Sequence, residues 1–265
     1  MLRGGMGIGV PCCEGCATVR VVSGDRPVEV AARLVRERFS GVLAAFLGGS
    51  APTKRRTPWS DLDIVVVLDG PPAPFRETRR FEGWVVELFV QTDTSIEYYW
   101  GVDAERRRTP LLRMVADGVI LAGGDGAATA FQERAAALLA AGPAAPGAET
   151  VNYQRYLLTD LVDDLRGCTE PVELAYLAAT LMLAASDFLL LAGNRWSARG
   201  KWLPRRIGEV DPDLPGRLVA GQRAVVVDGD REPLIAAVLA VLDFAGGPLQ
   251  EGFVLSGKDP GRNSE

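Results

Sequence analysis

The chain has 265 residues, of which 48% are hydrophobic and 24% are charged, values that are typical of a globular protein and exclude collagen-like and wholly disordered chains. It contains no histidine, which excludes Ser-His-Asp catalysis, Cys-His catalysis and histidine-ligated zinc. The net charge of −5 arises after residue 148, because residues 1–148 carry 17 basic and 17 acidic residues whereas residues 149–265 carry 12 and 17.

Residues 1–19 are predicted to form a flexible N-terminal tail, because they are rich in glycine and lack a periodic apolar pattern. The tail contains Cys12, Cys13 and Cys16. The Cys13-x-x-Cys16 pair is compatible with metal or redox work, but the chain has no histidine and no second Cys-x-x-Cys pair to complete the four ligands of a structural zinc site, which favours a loose tail. No continuous apolar segment of a signal peptide is present, so we expect a cytoplasmic chain with reduced thiols.

The first half alternates helical and strand patterns. Residues 26–39 carry an apolar stripe at helical spacing and end before Gly41. Short β-prone runs at residues 42–47, 62–68 and 84–90 predict three buried strands. Further helices are predicted within residues 94–119, with Pro110 at the start of one, and over residues 127–141. A domain over residues 20–142 with a small mixed sheet is therefore expected.

The second half is predicted to be an antiparallel helical bundle over residues 149–255, followed by a C-terminal tail at residues 256–265. The Pro- and Gly-rich segment 142–147, GPAAPG, is the predicted linker between the two domains. Helices are expected at residues 152–166, 171–192, 204–220 and 232–245, the third of them broken near Pro212. Asp187 interrupts the long apolar run, which favours a buried bundle helix over a membrane span. The fold class predicted for the whole chain is α+β.

The segment at residues 46–68, FLGGSAPTKRRTPWSDLDIVVVL, carries the candidate chemistry. Alternate side chains of a strand share one face, so Asp61 and Asp63 point the same way while Leu62 and Ile64 point into the core. Two adjacent carboxylates repel each other unless a cation lies between them, and hard oxygen ligands of this kind suit Mg²⁺. The Gly-Gly-Ser turn at residues 48–50 provides backbone N–H groups that can approach a phosphate closely.

Glu87 is a lone acid in an otherwise apolar predicted strand. An uncompensated charge at such a position costs several kcal/mol. If its strand lies beside that of Asp61 and Asp63, the three carboxylates form one cluster around one or two metal ions.

The combination of Gly49-Ser50, a spacer of ten residues before Asp61-Leu62-Asp63 and a third acid, Glu87, resembles the polymerase-β-like nucleotidyltransferase superfamily. The approach Thr57-Pro58-x-Ser60-Asp61 is similar to the small-molecule branch, which includes aminoglycoside and lincosamide nucleotidyltransferases. The resemblance implies Mg²⁺-dependent transfer of a nucleoside monophosphate, most simply AMP from ATP, to a hydroxyl of such an acceptor. It implies one or two Mg²⁺ ions on catalytic Asp61, Asp63 and Glu87, and nucleotide contacts from Gly49, Ser50, Lys54, Ser60 and Lys201.

Candidate acceptor contacts come from the second half. Asp160 and Asp164 are one helical turn apart and, with the local excess of acidic residues, predict affinity for a cationic acceptor; a solvated helix face explains the same pattern. The Gly-Lys pair that contains Lys201 resembles the C-terminal region of aminoglycoside-type enzymes, and Trp196 is expected to line the substrate site or to anchor a loop. The acidic charge argues against broad nucleic-acid binding.

Two other functions fit the same residues. One is a minimal nucleotidyltransferase that modifies a protein partner, as in toxin–antitoxin pairs. The other is an impaired relative that only binds nucleotide, because Thr53-Lys54 stands where many relatives carry Arg-Gly. A displaced positive charge from Lys54 can still reach a triphosphate.

Overall fold

A computed structural model describes residues 27–124 and 126–256. The first part of the chain forms α1 (Pro27–Arg38), β1 (Val42–Leu47), β2 (Leu62–Leu68), β3 (Phe75–Phe81), β4 (Trp84–Thr92), α2 (Asp93–Glu105), α3 (Pro110–Ala116), β5 (Val119–Ala122) and α4 (Ala127–Ala141). The second part forms α5 (Ala148–Gly167), α6 (Pro171–Ala192), a 3-10 turn (Gly200–Trp202), α7 (Leu203–Gly208), α8 (Leu214–Asp228) and α9 (Glu232–Asp243). The α+β class predicted from the sequence is confirmed. The expected N-terminal tail and its cysteines lie outside the described residues.

The five strands form one mixed sheet in the order β3-β4-β2-β1-β5. The central pair β2 and β4 is parallel, whereas β1 pairs antiparallel with both β2 and β5, and β3 pairs antiparallel with β4. In the parallel register Asp63 lies opposite Glu87. The two strands that carry the predicted acids are therefore neighbours, although β3 separates them in the sequence.

Both faces of the sheet are covered. On one face α1 packs over a core that includes Leu62, Ile64 and Val66, as the alternation along β2 predicts. On the other face Val65 and Val67 pack with side chains of α2, α3 and α4. Asp63 shares this second face with Val65 and Val67 because the side-chain period of a strand is two. The second core ends before Asp63, which leaves its carboxylate at the open end of the face.

Two strands were not predicted from the sequence. The β3 segment, FRETRRF, carries four charged residues, which are typical of an exposed edge strand. It joins β4 through a tight turn in which Glu82 and Gly83 have φ of 47° and 84°. The β5 segment has only four residues and pairs with β1 at the opposite side of the sheet. Neither strand has the apolar alternation of a half-buried strand.

The helical region is built around α6, which packs against α5, α7, α8 and α9. Its length and composition would allow it to cross a membrane. However, one face of the helix, including Leu174, Leu181 and Leu189, is buried in the apolar core of the helical region. The predicted break near Pro212 is confirmed, since α7 and α8 are separate helices. These contacts agree with the expected bundle helix.

The loop after α6 is fixed against the first half of the chain. Ser197 donates its backbone N–H to Arg107 O at 2.7 Å and its hydroxyl to Asp187 at 2.6 Å. Arg107 donates to Ala144 O at 2.5 Å and to Asn194 Oδ1 at 3.1 Å. The acid that interrupts the apolar run of α6 therefore anchors this loop, which forms one wall of the site.

Candidate active site

A cleft of about 900 Å³ lies between the sheet and the helical region. Its walls include Gly49 and Asp63 from the sheet side and Arg199 and Trp202 from the second half. The N-terminal end of α3 and the loop before it, including Thr109, provide another wall. The expected position of the site between the two halves agrees with this cleft.

Three carboxylates meet at the sheet end of the cleft. Oxygen atoms of Asp61, Asp63 and Glu87 all lie within 4.8 Å of one another, and each residue is half-buried. Asp61 and Asp63 are alternate residues on the same side of the chain, and the parallel register of β2 and β4 brings Glu87 beside Asp63. The predicted third acid therefore lies where the sequence placed it.

Within this cluster, the carboxyl group of Asp63 has a shifted pKa. Burial, followed by the negative charges of Asp61 and Glu87, raises the pKa of the Asp63 carboxyl from 3.8 to about 6, while Lys201 and Arg76 oppose the shift. Arg76 also donates to Glu87 at 2.8 Å. Two cations therefore accompany three acids, and the cluster retains an excess of negative charge that favours a bound cation.

The glycine turn packs directly on the cluster. Gly49 has φ of +70°, and a Cβ atom at this position would lie 2.0 Å from Asp63 Oδ2. Gly48 donates its N–H to Asp63 O at 2.8 Å. A side chain at Gly49 would displace the carboxylate, so glycine is required both for the backbone conformation and for the close approach.

The loop between the turn and Asp61 is held by its hydroxyl groups. The hydroxyls of Ser50 and Ser60 are 2.9 Å apart, and Ser60 Oγ accepts from Thr57 N at 3.0 Å. Thr53 Oγ1 donates to Ser50 O at 2.9 Å. Ser60, predicted as a nucleotide contact, thus fixes the loop that leads to the acids, and any contact with a nucleotide would be additional to this role.

A smaller basic pocket of about 320 Å³ adjoins the turn. Its lining comprises Ser50, Thr53, Lys54, Arg55, Trp202 and Arg205. The Arg205 guanidinium stacks on the Trp202 ring at 4.4 Å, and its Nη1 is buried without a hydrogen-bond partner within residues 27–124 and 126–256. Lys54 is therefore one of three cations around this pocket. Arg205 and Arg76 were not predicted from the sequence, because their contacts depend on the tertiary fold.

Three residues predicted to contact the acceptor do not line the cleft. Asp160 and Asp164 are exposed on α5, outside the cleft lining. Trp196 is buried, and its indole N–H donates to Leu139 O at 3.0 Å at the end of α4. Direct acceptor contacts from these side chains therefore stay a prediction, whereas the alternatives of a solvated helix face and a loop anchor agree with the structure.

Comparisons with known proteins give a match to a family model over part of the chain and a similarity to solved structures. No curated protein matches the chain. A crystal structure of a nucleotidyltransferase-like protein from Exiguobacterium sibiricum is similar with a TM-score of 0.43 and 12% identity, and the similarity covers 82% of this chain and 73% of that chain. Residues 28–107 match the family model described as "Nucleotidyltransferase domain". This range contains the glycine turn and all three carboxylates, and the match supports nucleotidyl transfer as the general activity of the domain that they form.

Proposed function

We propose that the protein transfers a nucleoside monophosphate, AMP from ATP, to a hydroxyl group of a small-molecule acceptor. The observation that carries the proposal is the cluster of Asp61, Asp63 and Glu87 beside the Gly49 turn, within the segment that matches the nucleotidyltransferase domain. In this proposal residues 20–142 form the catalytic domain and residues 149–255 the helical domain that closes the cleft.

The cluster suits a divalent metal ion. Its donors are hard carboxylate oxygens within 4.8 Å of one another, and their mutual repulsion contributes to the raised pKa of Asp63. When bound, Mg²⁺ would stabilise negative charge on the reacting phosphate and on the leaving pyrophosphate. Asp61 and Asp63 are the proposed ligands, with Glu87 as the third ligand or as the general base. Metal binding by Glu87 requires it to exchange part of its contact with Arg76.

The transfer is an in-line displacement. The acceptor oxygen forms a bond to the α-phosphorus of ATP while the bond to pyrophosphate breaks, and the hydroxyl proton passes to Glu87 or to water. Gly49 and Ser50 are proposed to lie against the triphosphate, with positive charge from Lys54 and Lys201. Lys54 adjoins Arg55 and Arg205 around the basic pocket, so positive charge is available despite the Thr53-Lys54 departure. This arrangement favours an active enzyme over an impaired relative.

The charge of the cleft does not favour the aminoglycoside-type acceptor that the sequence suggested. The charged residues among its described lining are five arginines and three aspartates, and Asp61, Glu87 and Lys201 adjoin Asp63 at the sheet end. Asp160 and Asp164, on which the cationic acceptor depended, are exposed elsewhere on α5. We therefore propose that the acceptor is a hydroxyl-bearing small molecule that carries no positive charge.

The proposal is tested with α-labelled ATP and Mg²⁺ across small-molecule and protein acceptors, with transfer of label and release of pyrophosphate as readouts. Asp61→Asn or Asp63→Asn is expected to lower the rate about a thousandfold, because metal ligands contribute several kcal/mol to transition-state stabilisation. Asp160→Asn is the matched control and should keep wild-type turnover. Wild-type turnover in either cluster variant would exclude the assignment, and label on a protein alone would favour the protein-modifying alternative.

A further inference from the structure

Two arginines from distant parts of the chain meet at the helical end of the cleft. Arg113 lies on α3 and Arg206 on α7, and both line the cleft. Their side chains are only 30% and 12% exposed. Burial and the nearby positive charge of Arg206 lower the pKa of the Arg113 guanidinium. Holding two cations together with little solvent is unfavourable unless an anion compensates them.

The acids that contact this pair give incomplete compensation. Arg113 reaches Asp117 only at 3.4 Å, and Arg206 pairs with Glu209 at 2.5 Å. Asp117 and Glu209 are 66% and 61% exposed, so solvent screens their charges. The Nε atom of Arg113 is buried and has no hydrogen-bond partner in the described part of the chain. The pair therefore retains donors and positive charge for a ligand in the cleft.

The main charge partners of the pair differ from those of the carboxylate cluster. The charges that act on Asp63 are those of Asp61, Glu87, Lys201 and Arg76, whereas Arg113 responds to Arg206, Asp117 and Glu209. The basic pocket beside the glycine turn has a third set of cations, Lys54, Arg55 and Arg205. The triphosphate thus has cations near the turn, and the pair on α3 and α7 is left for another anionic group.

We infer that Arg113 and Arg206 form an anion-binding subsite for the acceptor, which is a small hydroxyl compound carrying a phosphate or carboxylate group. Guanidinium groups bind either anion through paired N–H donors, and two of them suit a dianionic phosphate. Arg199 and Arg108, which also line the cleft, add positive charge. The acceptor assignment rests on the proposed function, whereas the anion subsite does not.

The first experiment measures binding and needs no acceptor. Wild-type protein is saturated with Mg²⁺ and a non-hydrolysable ATP analogue, and inorganic phosphate or acetate is then titrated calorimetrically. Arg113→Gln and Arg206→Gln should each weaken anion binding about tenfold or more, because a charge-assisted hydrogen bond is lost. Arg113→Lys and Arg206→Lys keep the charge and should recover part of the affinity. Arg217→Gln, an exposed arginine of α8 paired with Asp211, is the matched control and should bind as wild type.

Tighter binding of phosphate than of acetate would assign the subsite to phosphorylated acceptors. Tighter binding of acetate would assign it to acceptors that carry a carboxylate. The subsite is overturned if wild-type protein binds neither anion, if both Gln variants bind as tightly as wild type, or if the variants weaken the ATP analogue rather than the anion. Melting curves of each variant confirm that a loss of binding is not a loss of fold.

The second experiment compares matched acceptors in the transfer assay: ribose 5-phosphate with ribose, and glycerol 3-phosphate with glycerol. The anionic member of a pair should be used at least about tenfold more efficiently, and Arg113→Gln should remove that preference. Equal use of both members overturns the acceptor assignment. If no acceptor of any kind is labelled while anion binding still depends on Arg113, the proposed function fails and the anion subsite stands.

Discussion

The two ends of the cleft carry opposite charge and are assembled in different ways. At the sheet end, Asp61, Asp63 and Glu87 come from two adjacent strands, and the register of those strands brings them together. At the other end, Arg113 and Arg206 come from short helices in different halves of the chain. Each end concentrates like charges that its own contacts do not balance. The comparison indicates a cleft that is complete only with a cation at one end and an anion at the other.

Apart from removal of a cluster carboxylate, the largest effect is expected at the glycine turn. Gly49→Ala would place a Cβ atom 2.0 Å from Asp63 Oδ2 and force a positive φ on alanine. Displacing a catalytic carboxylate by about 1 Å can cost about a hundredfold in rate, so transfer should fall by at least that factor. Gly70→Ala is the matched control, because a Cβ atom at Gly70 meets no atom within 4 Å. Comparable turnover in the two variants would show that the turn does not position Asp63.

The repulsion within the carboxylate cluster should also affect the stability of the fold. Because the pKa of Asp63 is raised to about 6 in the folded protein, its protonated form stabilises the fold below about pH 4, and this contribution is lost as the pH rises through about 6. Without metal, Asp63→Asn should raise the free energy of unfolding by about 2 kcal/mol at about pH 8 and change it little near pH 4. Denaturant unfolding at the two pH values measures the difference. An equal change in the free energy of unfolding at both pH values would contradict the proposed repulsion.

A smaller effect is expected for Lys201, which lies in the 3-10 turn and acts electrostatically on Asp63. Its side chain is exposed, so solvent weakens the interaction. Lys201→Ala should raise the KM for ATP about three- to tenfold and leave the acceptor KM nearly unchanged. Steady-state kinetics with each substrate varied in turn separates the two constants. A change confined to the acceptor KM would indicate that Lys201 contacts the acceptor and not the nucleotide.

The smallest effect is expected for Trp196. Trp196→Phe removes the hydrogen bond from the indole N–H to Leu139 O but keeps the aromatic ring. The free energy of unfolding should fall by about 1 kcal/mol, with the acceptor KM unchanged. Thermal unfolding and kinetics on the same preparation test this. An altered acceptor KM with an unchanged free energy of unfolding would indicate that Trp196 contacts the acceptor.

The carboxylate end was predictable from sequence because two of its three acids lie close together on one strand segment. The alternation of Asp61 and Asp63 follows from strand periodicity, and the lone acid Glu87 in an apolar strand signalled a compensating partner. The α4 and α6 boundaries were also predicted, because Pro171, Gly142 and Gly193 lie at or beside their ends.

The arginine end was not predictable by the same reasoning. Its members lie on α3 and α7, and no periodic pattern relates residues on separate helices. Asp160 and Asp164 show the converse case: their spacing correctly indicated a shared helix face, but only the packing of α5 decides whether that face reaches the cleft. The charged β3 strand was missed because an edge strand pairs through its backbone and needs no apolar face.

The most direct test of the central claim is whether the carboxylate cluster binds a divalent metal ion together with the nucleotide. Mn²⁺ can be titrated into the protein with a non-hydrolysable ATP analogue and its bound fraction measured by electron paramagnetic resonance. We predict saturable binding by the wild type, and affinity lowered at least about tenfold in Asp61→Asn and Asp63→Asn, since each removes a charged ligand. Asp160→Asn should bind as the wild type does. Equal Mn²⁺ affinity in all four proteins would contradict the account.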